Sequence, residues 1–81
     1  MSETKKEAQM SEEKMGAAAD FIEVAAQELS DYNMVEQAWF LRGVGDALLN
    51  EIDRSVWGDE SYGQHYRAGY RAVVAWENDA L

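Results

Sequence analysis

No proline occurs anywhere in this chain of 81 residues, so no position removes a backbone donor or clashes with a continuing helix. The apolar residues use that freedom. From Met15 they fall at Met15, Ala18, Phe21, Ile22, Ala25 and Leu29, steps of three and four that predict one stripe on a helix. Ser30, Asp31, Tyr32 and Asn33 then interrupt it. A second stripe runs through Met34, Ala38, Leu41, Gly45, Leu48 and Ile52. Phe40, Val44 and Ala47 widen it, which predicts that the second helix is the most buried. A third stripe carries Tyr62, Tyr66, Gly69, Val73, Trp76 and Ala80.

Start signals accompany each stripe. Thr4 and Glu7, Asn33 and Glu36, and Ser61 and Gln64 all have the spacing of a capping box, with Ser11 as a later start for the first helix. Trp57, Gly58 and Asp59 read as the turn before the third helix. Gly43 and Gly45 are the anomaly, because each costs about 1 kcal/mol in a helix interior relative to Ala. Either they allow close helix approach, or they end one helix near Arg42 and start another near Asp46. One helix of about 20 residues, roughly 30 Å long, is the preferred reading. The expected fold is all-α, a compact antiparallel three-helix bundle over residues 11–81, with 1–10 a flexible tail.

Charge narrows the function. Sixteen acids against seven bases give a formal net charge of −9, which repels nucleic acid and anionic membranes and attracts basic protein surfaces. Apolar residues make up 47%, with three Trp, four Tyr and two Phe, too many for a disordered chain. Cysteine is absent, which removes disulfides and thiolate metal sites. No run approaches the ~20 apolar residues of a membrane span, so a cytoplasmic protein is expected.

Catalytic constellations are missing. The single histidine, His65, has Tyr62 three residues before it where a di-metal carboxylate bundle needs Glu. Ser61 stands four residues before His65 but is better read as a helix cap. Asp46 and Asp53 lie two turns apart on one helix face and read as ordinary solvated acids. Gly43-Val44-Gly45 follows no strand and is no phosphate loop. Neither an enzyme, a cofactor nor a metal is expected.

Two surfaces remain as candidates. Asp20, Glu23, Glu28 and Asp31 on the first helix, with Glu36 on the second, form an acidic band if the helices lie side by side. Asp46, Glu51 and Asp53 extend it. Duplex DNA presents one charge per about 1.7 Å of axis, and neighbouring helices can set out carboxylates at comparable density. The second is a strip of Tyr62, Tyr66, Arg67, Tyr70 and Arg71, residue types favoured in binding hot spots. Its plainer reading puts Tyr66, Val73 and Trp76 in the core and pairs the arginines with acids of the first two helices. Trp39, Trp57 and Trp76 are three large residues for so thin a core, so at least one of them should be partly exposed, suggesting a contact surface or a homodimer.

In size, charge and lack of catalytic residues the whole chain resembles small acidic phage-type anti-defence proteins, the anti-CRISPR proteins and DNA-mimic inhibitors. The resemblance implies a non-enzymatic, cytoplasmic inhibitor that blocks a basic, nucleic-acid-handling protein through its acidic helices. The alternative is a self-associating helical bundle, structural or holding a small anionic ligand such as a nucleotide through Arg67, Arg71 and Tyr70.

Overall fold

The structure, a computed structural model, describes residues 12–80; the tail at 1–10 and the start signals at Thr4, Glu7 and Ser11 lie outside the described residues. Four helices follow one another: α1 (Glu12–Asp31), α2 (Val35–Leu48), α3 (Arg54–Trp57) and α4 (Gly63–Ala80). Among the described residues there is no strand. The three long helices match the three stripes, and the short α3 is an addition. α1 and α4 both pack closely along α2, and neither packs as closely on the other. α2 is therefore the helix that joins the other two. The principal extents are 44 × 23 × 16 Å, long in one direction and thin in another.

Helix ends are set by asparagines. Asn33 has φ 62°, with Asn33 N donating to Ser30 O at 2.9 Å and Met34 N to Leu29 O at 2.8 Å. That pair of bonds is a Schellman stop, and Asn tolerates its left-handed residue better than most side chains. Asn33 thus ends α1 and does not cap α2. Met34 holds the cap position, with no side-chain cap bond, so the Asn33–Glu36 capping box is corrected. Asn50 repeats the device at φ 56°, with Asn50 N to Ala47 O at 3.0 Å and Glu51 N to Asp46 O at 2.8 Å. It stops α2 after 14 residues, short of the expected 20.

Two aspartates do the capping. Asp53 Oδ1 accepts from Ser55 N at 3.1 Å, Val56 N at 3.4 Å and the Ser55 hydroxyl at 2.6 Å, starting α3. Asp59 Oδ1 accepts from Ser61 N at 2.7 Å and Tyr62 N at 2.8 Å just ahead of α4. Ser61, expected as the cap, is instead one of the capped donors.

Neither Gly43 nor Gly45 breaks α2. A methyl built on Gly43 would overlap the Tyr66 carbonyl and stand 3.0 Å from Tyr70 N. One built on Gly69 would overlap the Phe40 carbonyl and stand 3.1 Å from Val44 N. The two glycines are reciprocal, each making room for the other helix's backbone, so α2 and α4 touch main chain to main chain. Gly45 faces α1, where an added methyl would stand 3.5 Å from Ile22 Cγ2 and 3.8 Å from the Ala19 carbonyl, in ordinary contact.

The core is accordingly built of small side chains. Ala19, Ala26, Ala38, Ala47, Val73 and Tyr66 are its buried apolar members. Several residues expected there are exposed. Phe21 is 72% exposed, and Met34, Ile52, Tyr62 and Trp76 also reach solvent. Small residues let helices approach until no room remains for the large side chains of the same stripe.

Candidate protein-binding surface

Along α1, Asp20, Glu23, Gln27 and Asp31 follow one another in steps of three and four and share one flank, all of them exposed. From Asp20 to Asp31 the flank covers about 16 Å at 1.5 Å per residue. Gln27 Nε2 donates to Asp31 Oδ1 at 3.0 Å, which ties two members together. Glu28 is exposed too, but it lies in the row of Val24 and Asp31, on the side of α1 turned away from α2. Glu36 departs from the group: its Oε2 stands 3.3 Å from His65 Nε2 on α4. It shares an open groove with Leu29, Gln37, Phe40, Leu41 and His65. Four of the five candidate acids therefore sit on one helix, and the fifth, Glu36, turns toward His65 on α4.

The wider acids separate as well. Asp46 is not in the band. Its carboxylate accepts the Tyr66 hydroxyl, and that hydroxyl in turn accepts from Asp53 N at 2.9 Å. Burial pushes the Asp46 carboxyl above its ordinary value, outweighing the opposing pull of the Tyr66 hydrogen bond. Tyr66 is driven far above the ordinary phenol range, first by burial and then by that same bond to Asp46. Asp53 moves down, held ionised mainly by the Ser55 hydroxyl and by the amides it caps.

The aromatic strip is divided: Tyr62 and Arg71 are exposed, Arg67 and Tyr70 half-buried and Tyr66 buried. Tyr66 is 1% exposed. Tyr70 meets the Trp57 ring edge-on at 5.6 Å, and Tyr66 meets it at 6.4 Å. Tyr62 stacks on Trp39 at 5.1 Å with the planes 20° apart. The arginines do not pair with acids of the first two helices. Arg67 donates to the Trp57 carbonyl, Arg71 lies 5.4 Å over the Trp57 ring, and Arg42 lies 4.8 Å over Trp39. Arg67 and Tyr66 are thus committed to joining α3 and α4, and the strip does not form one open surface. Trp76, 44% exposed, is the tryptophan that reaches furthest into solvent.

Two features had no signal in the sequence: the Asp46–Tyr66–Asp53 knot, which depends on helix rotation, and the docking of α3 under Arg67. The spacing of Tyr62, Tyr66 and Tyr70 did mark the helix face on which the aromatic cluster forms.

No protein-family model matches this chain, and no curated protein or solved structure matches it. Among the described residues, no helix is long and apolar enough to cross a membrane.

Proposed function

We propose that this protein is a non-catalytic inhibitor that occupies a basic, nucleic-acid-binding groove on another protein, using the acidic flank of α1. The observation that carries this reading is the unbroken exposure of Asp20, Glu23, Glu28 and Asp31 on one helix of a chain with net charge −9. None of the four is drawn into a salt bridge with an arginine or lysine within 4 Å among the described residues. Their desolvation and pairing are left for a partner. Opposite charges steer such an encounter, and the steering weakens as salt shortens the Debye length to about 8 Å at physiological ionic strength.

The test is affinity capture from bacterial lysate with the protein immobilised, eluted by a salt step, followed by the same capture with D20K/E23K. A nucleic-acid-handling protein released by salt and lost by the double variant supports the reading. Retention by the variant, with unchanged helical circular dichroism, would overturn it. The nucleotide-holding alternative has less support, because Arg67 and Arg71 are already engaged around Trp57.

A further inference from the structure

α1 has two apolar sides. Ala19 and Ala26 are buried against α2, with Ile22 and Leu29 half-buried beside them. On the opposite side Lys14, Ala17, Phe21, Val24, Glu28 and Asp31 follow one another in steps of three, four, three, four and three, and all six are exposed. That is the spacing of a two-helix seam. Phe21 is 72% and Val24 63% exposed at its centre. A helix that met only α2 would have no use for an aromatic and a β-branched side chain there.

We propose that two copies of this chain pair through this face, α1 against α1, in antiparallel orientation. Charge decides both the occupant and the direction. In a parallel pair each seam residue meets itself, setting Lys14 on Lys14, Glu28 on Glu28 and Asp31 on Asp31. In an antiparallel pair centred between residues 22 and 23, Phe21 meets Val24 of the second copy. Ala17 meets Glu28 of the second copy, and Lys14 meets its Asp31. Every seam position then finds a large residue against a small one or a cation against an anion, and symmetry makes each match twice. An ammonium has three donors, so this pairing does not require Lys14 to give up other contacts.

The flanking positions agree. Ala18 faces Ala25 of the second copy, which lets the backbones approach. Asp20 faces Gln27 of the second copy, so no carboxylate is set directly on another there. Antiparallel pairing also puts the flank of Asp20 and Gln27 beside its own counterpart, which brings both acidic flanks to one edge of the dimer. Two apolar layers make a small seam, at or below the ~1,200 Å² end of specific interfaces, so the pair is expected to be of roughly micromolar strength or weaker. The inference rests on the outer face of α1 and not on the inhibitor reading, and its test uses the protein alone. Pairing would engage Glu28 and Asp31 and leave Asp20 and Glu23 open to another partner.

Sedimentation equilibrium up to about 0.5 mM, a range that detects weak pairs, should give the mass of two chains. F21E should give one chain, with the helical circular dichroism unchanged because Phe21 contributes little to the fold. K14D and D31K should each weaken pairing at least about tenfold, and K14D/D31K together should restore it. The chain has no cysteine, so a mixture of A17C and E28C chains should crosslink as a hetero-pair on oxidation, in preference to either homodimer. A monomer at every concentration overturns the proposal. So does a dimer that survives F21E, a double variant as weak as its singles, or crosslinking in which homodimers dominate.

Discussion

Among the described residues Tyr66 is the one large side chain sunk fully into a core of alanines and glycines, and its hydroxyl governs how this protein should respond to pH. Asp46, which accepts that hydroxyl, has a carboxyl raised above its ordinary value by burial. The folded state then holds the Asp46 proton more tightly than the unfolded chain does. Between the ordinary value of 3.8 and the raised one, stability falls as pH rises. Asp53 has the opposite sign: its carboxyl is lowered, so its contribution is present above 3.8 and lost as pH falls through the folded value. Stability should therefore peak in mild acid. D46N keeps an acceptor for Tyr66 but removes the half-buried charge. Urea unfolding between about pH 4 and 7 should show the neutral-side decline in the parent and a flatter curve in D46N. An unaltered decline in D46N would assign that limb elsewhere. Y66F strips the partner from both Asp46 and the Asp53 amide, and should cost about 1–3 kcal/mol.

At the scale of the elements, helix length and glycine position carry the argument. G43A and G69A should each gain up to about 1 kcal/mol of helix propensity and lose more than that to overlap with a main-chain carbonyl across the α2–α4 contact. A carbonyl cannot rotate away, and overpacking of this kind costs roughly 1–3 kcal/mol or more. Gly16 is the control. A methyl there meets nothing within 4 Å, so G16A should stabilise by up to about 1 kcal/mol. Urea midpoints that move the same way for G16A and G43A would refute the close contact. The same residues show what the sequence makes legible. Three helices were readable from stripes alone, because a 3.6-residue period survives any tertiary arrangement. The end of α2 and the part played by Asn33 were not: an apolar pattern that runs on to Ile52 hides the stop at Asn50, and Asn followed by Glu three residues on looks the same whether the Asn starts a helix or stops one. Nor was the burial within a stripe, since Phe21 and Ile22 are neighbours in one pattern and only helix rotation sends the first to solvent. For the candidate surface, the run of acids on α1 was plain in the sequence. The departure of Glu36 toward His65 was not, because it depends on which side of α2 faces α4.

For the molecule as a whole, α2 is the hub, and its two interfaces differ in kind. Against α4 it has reciprocal glycines, the buried Tyr66 and the knot with Asp46 and Asp53, beside which α3 is held on α4 by Arg67 at the Trp57 carbonyl and by Tyr66 and Tyr70 at the Trp57 ring. Against α1 it has alanines, Gly45 and the half-buried Ile22 and Leu29, with no side-chain hydrogen bond between the two helices among those the described residues make. Small apolar contacts of this sort give less burial per residue, at about 25 cal/mol per Å² removed from water. The α1 layer should therefore open at lower free energy than the α2–α4 pair, as a separate cooperative unit. Native-state hydrogen exchange on dilute protein tests this directly. Amides of α2 and α4 should share the highest opening free energy, and those of α1 should exchange earlier as a group. One common value for all three helices would make the chain a single unit and remove the distinction. The dimer proposed above adds a second signature, because pairing covers the outer face of α1 alone. Raising the protein concentration should then protect α1 amides selectively, and F21E should abolish that gain while leaving α2 and α4 where they were.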